Sequence, residues 1–329
     1  MKTVVAGGAG FVGGYVVERL LAQGHEVTVL DNLSRGKVSN LPDKGDMRTM
    51  DVRYVAALDL RGADRVYDFA ARVFGVRTLY SEPADLLAYN LEVTVALLKA
   101  AAAAGVRDYV YVSSSCIYDH PKARVPHRED DIGLCDTSYG LSKLVGEELC
   151  RYYAQQYDVR VRTVRLFNVY GPRDSFVGAH VIPDFIRKAW RVAKGETREF
   201  SIIGDGSQTR DFTWVDDAAD AIVVVADKGS PGEAYNVGTG RELTMYALAM
   251  KVCDLFGLKM AGGAHVANAG QPYFTFEEAP RQDIQRRSAS VVKIARDTGW
   301  KPEVGLEEGL RRVKDWLVPK LEVGAADVA

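Results

Sequence analysis

Short runs of apolar and β-branched residues alternate, over the first 166 positions, with longer stretches in which apolar residues recur every three or four positions. The first pattern is typical of buried strands and the second of amphipathic helices. Strands are predicted at 3–6, 26–30, 65–69, 109–113 and 159–166, and helices at 12–23, 84–104 and 139–156. Because strands that alternate with helices form parallel sheets covered on both faces, the pattern predicts an α/β fold with a doubly wound parallel sheet.

The pattern changes after Gly171-Pro172, where a segment rich in turns follows. Further on, a strand at 235–237 is predicted to rejoin the sheet, and helices are predicted at 217–227, 245–256 and 306–317. We therefore expect a larger domain made of 1–172 with about 211–240, a smaller α/β substrate-binding domain made of about 173–210 and 241–320, and a frayed tail at 323–329.

Composition describes a soluble, enzyme-sized protein, since 47% of the 329 residues are hydrophobic and 26% are charged. The 42 Lys and Arg residues nearly balance the 44 Asp and Glu residues, which argues against a broad basic surface for nucleic acid. The apolar stretches are expected to be too short to cross a bilayer, and the opening MKTVVAGGAG leaves no room for a signal peptide. We predict a cytoplasmic protein that binds small molecules, with no nucleic-acid or membrane partner.

The four cysteines, Cys116, Cys135, Cys150 and Cys253, form no C-x-x-C pair and have no histidine at zinc-ligand spacing. We therefore predict no metal. A cytosolic chain of this length does not need disulfide bonds, so each cysteine is expected to be a free thiol.

A glycine motif lies between the first predicted strand and the first predicted helix, at Gly7, Gly10 and Gly13. Glycines there permit a tight turn and the close approach of a pyrophosphate to a helix N-terminus. Asp31 follows the second strand, where an acid would bind ribose hydroxyls and repel a 2′-phosphate, so the motif favours NAD over NADP. Asp51-Val52 is a weaker candidate for an adenine contact. The alternative is an ordinary glycine-rich turn with Asp31 capping a loop.

A candidate catalytic pair, Tyr139 and Lys143, is predicted on one face of a helix because residues four apart are neighbours there. It follows a strand that ends in Ser113-Ser114-Ser115. A lysine beside a tyrosine is expected to lower the pKa of the phenol by charge proximity. The phenolate would take a proton from a sugar hydroxyl while hydride leaves to nicotinamide, and Ser114 would hold the same oxygen. The alternative is that Tyr139 and Lys143 are surface residues that lie four positions apart by chance.

Together these motifs resemble the extended short-chain dehydrogenase/reductase family, whose members mostly act on nucleotide sugars and whose fold is a Rossmann-type domain with a smaller C-terminal substrate domain. The likeness runs along nearly the whole chain. It is carried by the glycine motif, Asp31-Asn32-Leu33, Asp51-Val52, Asn90, the segment from Ser113 to Tyr118, Tyr139/Lys143, the segment from Asn168 to Pro172, and the segment from Gly204 to Arg210.

The resemblance implies a role for each matching residue. Ser114, Tyr139 and Lys143 would form the redox triad. Arg210 and Arg281 would bind the substrate diphosphate, since a guanidinium makes paired hydrogen bonds to phosphate oxygens, and Asn168 would also contact substrate. A homodimer through two helices of the larger domain is implied as well. The implied cofactor contacts are Gly7, Gly10, Phe11, Val12, Gly13, Asp31, Asn32, Asp51, Val52, Ala70, Ala71, Asn90, Tyr139 and Lys143.

Two further residues sharpen this picture. Cys116 lies two positions before Tyr118, where dehydratases of the family carry an acid and many 4-epimerases a threonine, and His180 precedes Val181-Ile182-Pro183. Both segments are similar to those of GDP-fucose synthases, and the first also resembles GDP-mannose 3,5-epimerases. In those relatives the thiol and a basic residue at the second position transfer protons. A buried structural thiol and a local capping histidine are the alternatives.

We hypothesise an NAD-dependent epimerase of a GDP- or UDP-hexose that oxidises C4 and uses Cys116 and His180 to invert a neighbouring carbon. Free thiols and imidazoles titrate near neutrality, so both can exchange protons. The main alternative is a UDP-hexose 4-epimerase that needs only the triad. A 4,6-dehydratase, a net reductase and a non-catalytic NAD-binding protein rank lower.

Overall fold

A computed structural model of the chain describes residues 1–42, 46–72, 82–120, 123–174, 180–279 and 284–324. The strands are β1 (Lys2–Ala6), β2 (Glu26–Asp31), β3 (Asp46–Thr49), β4 (Arg65–Asp68), β5 (Asp108–Ser114), β6 (Arg160–Leu166), β7 (Val169–Tyr170), β8 (Glu199–Ile203), β9 (Thr209–Arg210), β10 (Thr213–Trp214), β11 (Ala234–Val237), β12 (Leu243–Thr244) and β13 (Tyr273–Glu277). The helices are α1 (Phe11–Ala22), α2 (Pro83–Ala103), α3 (Ser138–Tyr157), α4 (Val181–Ala193), α5 (Val215–Lys228), α6 (Met245–Asp254), α7 (Val292–Thr298) and α8 (Leu306–Glu322).

The larger domain is built on a seven-stranded sheet in the order β11-β6-β5-β4-β1-β2-β3. Every pair in it is parallel, and Val5 of β1 lies between Val29 of β2 and Tyr67 of β4. This is the order of a doubly wound sheet, in which ligands bind beyond the carboxyl ends of the strands. The predicted fold class is confirmed, as is the return of the strand at 235–237 to the sheet.

Helices cover both faces of the sheet. α1 packs against α5 on one face, and α2 packs against α3 on the other. Among the described residues, α2 is the single helix long and apolar enough to cross a membrane, with 21 residues and a mean hydropathy of 1.4. Half of that stretch is buried, and α2 also packs against the short helices Val52–Tyr54 and Ala57–Leu60. The expectation that every apolar stretch is too short was therefore wrong for α2, which is placed as a core helix of the sheet layer.

The chain after Gly171 contains a helix and a strand that its turn-rich sequence did not predict. β8 pairs in parallel with β13, and α4 packs against β8, α6 and α8. The prediction of irregular structure over 173–210 was therefore wrong for 181–193 and 199–203. α4 has a strongly amphipathic pattern, with Ile182, Phe185, Ile186 and Ala189 buried on one side.

Candidate active site

The glycine loop between β1 and α1 has the close contacts that a dinucleotide cradle requires. Gly7 has a φ of 75°, and a Cβ atom there would lie 2.9 Å from the backbone nitrogen of Ala70. A Cβ atom at Gly13 would lie 2.5 Å from the carbonyl oxygen of Gly7. α1 begins at Phe11, and no acidic side chain occupies its first turn, which also holds Val12. The N-terminus of α1 therefore suits a phosphate group.

Asp31 ends β2 beside this loop and is only 7% exposed. Its carboxylate accepts hydrogen bonds from the backbone of Ala9 at 3.0 Å and of Leu33 at 2.8 Å. Burial raises the pKa of Asp31, and these two hydrogen bonds oppose the shift. Asn32 accepts from the backbone of Ser34 at 3.0 Å, which shapes the turn that follows. An acid tied to the glycine loop fits a ribose diol and disfavours a 2′-phosphate.

Other predicted cofactor residues have structural partners within the protein. The Asp51 carboxylate accepts from the backbone and the guanidinium of Arg53, and Val52 is buried. The side chain of Asn90 pairs with the backbone of Arg72 in both directions, at 2.8 and 3.1 Å. Asn90 therefore holds the segment after β4. The segment carries Ala71 and also Ala70, which Asp68 anchors through the backbone nitrogen. A direct contact of these side chains with cofactor stays a prediction.

The predicted redox triad spans β5 and α3. Ser114 is the last residue of β5, and its hydroxyl accepts from the backbone nitrogen of Cys116 at 3.2 Å. The Thr137 side chain caps α3, so Tyr139 lies in the first turn of that helix, where its phenol is hydrogen-bonded to Ser114. A Cβ atom at Gly140 would overlap the carbonyl oxygen of Cys116. This close approach brings the start of α3 against the end of β5.

The electrostatics of the triad differ from the expectation. Burial raises the pKa of Tyr139, the neighbouring Cys116 raises it further, and the Ser114 hydrogen bond and the charge of Arg35 lower it. Lys143 is 5% exposed, and its ammonium donates to the carbonyl oxygen of Val112 at 2.8 Å. Lys143 is not among the groups that act on the pKa of Tyr139 in this structure, where its ammonium is bound to the backbone of β5, and its lowering of the phenol pKa stays a prediction.

Cys116 lies in the short helix Ser115–Tyr118 and is partly exposed, whereas the other three cysteines are buried, and all four are free thiols. Burial raises the pKa of its thiol, Asp119 adds to that effect, and the charges of Arg287 and Arg210 oppose it. Asp119 and Arg287 form an ion pair beside the thiol. The sequence pattern did not single out either residue.

His180 is the residue before α4, and its side chain is 47% exposed. Its Nδ1 atom lies 2.8 and 2.9 Å from the two carboxylate oxygens of Asp174, a side chain that is 1% exposed. The charge of Asp174 raises the pKa of His180, and Arg35 opposes the shift. The sequence analysis missed Asp174, which lies six residues before His180 in a segment without a regular period. The electrostatic neighbours of Cys116 and of His180 are different, and Arg35 is the charge that acts on both His180 and Tyr139.

Two of the predicted substrate residues, Asn168 and Arg210, lie close to the domain boundaries that the sequence predicts. Asn168 has a φ of 31° and donates to the carbonyl oxygen of Asp211 at 2.9 Å. Arg210 ends β9 and donates to the carbonyl oxygen of Ile284 at 2.7 Å. Arg281 lies outside the described residues. No group of three His, Cys, Asp or Glu side chains able to share a metal ion occurs among the residues that the structure describes.

Sequence comparison assigns the chain to a family. The sequence model of the NAD dependent epimerase/dehydratase family matches residues 3–238. A UDP-glucose 4-epimerase from Mycolicibacterium smegmatis is 32% identical over 329 residues, covering 96% of this chain and 98% of the relative. A GDP-L-fucose synthase from Sinorhizobium fredii is 31% identical over 316 residues, covering 94% of this chain and 92% of the relative.

Solved structures agree with this assignment. A UDP-glucose 4-epimerase from Thermotoga maritima, crystallised with UDP-glucose, superposes with a TM-score of 0.85 at 28% identity, covering 98% of this chain and 100% of the other. A UDP-glucose 4-epimerase from Thermus thermophilus, in complex with NAD, has a TM-score of 0.83 at 30% identity, covering 97% and 99%.

The fold and the dinucleotide cradle thus define a Rossmann-type enzyme of the extended short-chain dehydrogenase/reductase class. The chain belongs to the NAD dependent epimerase/dehydratase family. The resemblance inferred from the motifs is confirmed, and so is NAD as the cofactor.

Proposed function

We propose that the protein is an NAD-dependent nucleotide-sugar epimerase that oxidises C4 of the sugar transiently and transfers protons at C3 or C5 through Cys116 and His180. The substrate is a GDP- or UDP-hexose. The observation that carries the proposal is that Cys116 lies beside the predicted triad, because its backbone nitrogen donates to the Ser114 hydroxyl at 3.2 Å. The thiol of Cys116 raises the pKa of Tyr139. The charge of Arg35 lowers the pKa of Tyr139 and also that of His180.

The triad accounts for the oxidation. The glycine loop and Asp31 would hold NAD, which when bound would supply the hydride acceptor for C4. Tyr139 takes the proton of the C4 hydroxyl, and Ser114, which is hydrogen-bonded to the phenol, orients that hydroxyl. Lys143 is fixed to the carbonyl oxygen of Val112 at the floor of the site. Its buried ammonium adds positive charge near the carboxyl ends of β4 and β5.

The proton transfers follow from the ketone. Once C4 is a carbonyl, the C–H bonds at C3 and C5 become acidic. The thiolate of Cys116 takes the proton, and the electron pair of that bond becomes an enolate. The imidazolium of His180 returns a proton to the opposite face and leaves a neutral imidazole. Asp174 suits His180 to the donor role because its charge favours the protonated ring.

Solvent deuterium tests the proposal. The protein with NAD is incubated in D₂O with GDP-mannose and, separately, with UDP-glucose, and the recovered sugars are examined by NMR and mass spectrometry. We expect deuterium on C3 or C5. Cys116→Ser and His180→Gln should lose most of that label, whereas Cys253→Ala, a thiol buried in α6, should retain it. Turnover without carbon-bound deuterium would refute the proton-transfer roles.

A second candidate is a UDP-hexose 4-epimerase. It is favoured by the 32% identical relative from Mycolicibacterium smegmatis, which is named a UDP-glucose 4-epimerase. That reaction needs only the triad of Ser114, Tyr139 and Lys143 with NAD, and it leaves Cys116 and His180 as residues that line the pocket. Conversion of UDP-glucose to UDP-galactose with no solvent label would establish this candidate and exclude the first.

We also infer a homodimer. The face of the larger domain that carries α2 and α3 exposes large apolar side chains, with Tyr152 58%, Tyr54 76% and Leu58 73% exposed. Contiguous apolar patches are typical of protein interfaces, and we propose that these side chains contribute to one. Sedimentation should give twice the mass of one chain, and Tyr152→Glu should shift the protein toward monomer. A monomeric wild-type protein would contradict the inference.

A further inference from the structure

Close to Cys116, a buried ion pair joins two parts of the chain that lie 168 residues apart. Asp119 is 2% exposed and Arg287 is 8% exposed, and a guanidinium nitrogen of Arg287 donates to the Asp119 carboxylate. Taking two charges out of water costs free energy that a surface pair does not pay. The triad chemistry requires neither residue, so the pair needs a separate explanation.

Two separate backbone segments, one carrying Asp119 and one carrying Arg287, place this ion pair beside the thiol. The Asp119 backbone nitrogen donates to the carbonyl oxygen of Cys116 at 3.1 Å, so the carboxylate belongs to the same turn as the thiol. Arg287 comes from the second domain. The backbone of His127 receives a bond from Ser290 and donates to Ser288, both at 2.8 Å, and this pairing fixes the segment that carries Arg287.

The thiol is itself part of the cluster. Asp119 and Ser114 both contact the backbone of Cys116, and both side chains act on its thiol. The charges of Asp119, Arg210 and Arg287 shift the pKa of the Cys116 thiol. The thiol in turn raises the pKa of Cys135 and of Tyr139. Two guanidinium groups and one carboxylate give this surrounding a net charge of +1, which stabilises a thiolate once the proton has left.

We propose that Asp119 and Arg287 are positioning residues for Cys116: the carboxylate accepts the hydrogen bond of the thiol and orients it, and Arg287 keeps that carboxylate ionised and in place. This inference deepens the proposed function and rests on it for the role of the thiol in proton transfer. We assign neither residue a contact with the sugar. Their effect is on how readily Cys116 gives and takes a proton.

The two members of the pair have opposite effects on the thiol. Replacing Asp119 by Asn removes a negative charge and leaves Arg287 to act on the sulfur, so the pKa of Cys116 should fall. Replacing Arg287 by Met removes a positive charge and leaves Asp119, so the pKa should rise. Replacing both should bring the thiol back near its wild-type behaviour. Structural damage alone would not give opposite shifts.

The test is the rate of alkylation of Cys116 by iodoacetamide between pH 6 and pH 10, followed by mass spectrometry of its peptide in the NAD-containing protein. At pH 7 we expect Asp119→Asn to react about tenfold faster and Arg287→Met about tenfold more slowly, since one pKa unit changes the thiolate fraction tenfold. Arg287→Lys, which keeps the charge, should remain close to wild type. Labelling of the buried Cys150 and Cys253 reports any loss of fold in the same sample.

Two results would overturn the proposal: shifts of the same sign in the two single variants, or pH midpoints that do not move in a variant whose Cys150 and Cys253 stay protected. If Arg287→Met unfolds, Asp119→Asn and Arg287→Lys decide the matter. Deuterium incorporation from D₂O into GDP-mannose or UDP-glucose is measured on the same variants. Opposite midpoint shifts without any sugar label uphold the positioning role and refute the proposed function. Unchanged pH midpoints together with deuterium on the sugar would refute the positioning role and support the proposed function.

Discussion

Replacing Gly13 by Ala should separate the glycine loop from α1 and weaken NAD binding. The added Cβ atom would lie 2.5 Å from the carbonyl oxygen of Gly7 and 2.9 Å from the Cα atom of Gly8. Both of these atoms belong to the backbone, so no flexible side chain can move aside. Ordinary contact begins roughly 1 Å further out, and the loop or the helix must shift by that amount.

The size of the effect follows from the cost of overpacking. Forcing one extra carbon into a closely packed site costs about 1–3 kcal/mol. If the loop absorbs the whole shift, the pyrophosphate loses its fit to the N-terminus of α1. Because each 1.4 kcal/mol corresponds to a tenfold change in affinity, we expect NAD to bind roughly 5- to 150-fold more weakly.

Calorimetric titration of NAD, with the NAD content of the purified protein measured by mass spectrometry, gives the affinity. Thermal unfolding without added NAD gives the cost to the fold itself. Gly262→Ala is the matched control, because no atom lies within 4 Å of its added Cβ. If Gly13→Ala bound NAD within twofold of the wild type and unfolded at the same temperature, the assignment of this loop as the cofactor cradle would be refuted.

Three further predictions concern the site and its surroundings. Tyr139→Phe should lower turnover roughly 10²- to 10⁴-fold while NAD stays bound, and unchanged turnover by coupled assay would exclude the phenol as the proton acceptor. Asp174→Asn should lower the pKa of His180, so the alkaline limb of kcat/KM should move to lower pH; an unmoved limb would contradict the donor role. Burial lowers the pKa of His127 to about 4 from 6.5, so the unfolded chain takes up a proton first as the pH falls, and stability is lost between pH 6.5 and pH 4. His127→Phe keeps a ring stacked on Tyr118 and should reduce the loss of unfolding free energy between pH 7.5 and pH 4.5 by roughly 2–3 kcal/mol. An equal loss in both proteins by urea titration would show that the pKa of His127 is the same in the folded and the unfolded chain.

The sheet and its cofactor loop were predictable because they depend on local patterns. Each strand–helix–strand unit repeats a short period of apolar residues, and right-handed crossovers place the helices on the faces of a parallel sheet. The cradle at Gly7 and Gly13 depends on spacing within a single turn. α4 and β8 were missed because turn signals at Gly171 and after it outweighed a short amphipathic helix and a five-residue strand that pairs far along the chain, with β13.

The sequence by itself determined the α/β class, the dinucleotide loop, the acid at Asp31 and the presence of Tyr139 and Lys143 on one helix. Only the tertiary structure decided where the ammonium of Lys143 is bound, that burial raises the pKa of the phenol, and that Asp119 meets Arg287 across 168 residues. The physical reason is range. Backbone propensity and helical spacing act over a few residues, whereas burial, charge proximity and pairing between domains exist only once the chain has folded.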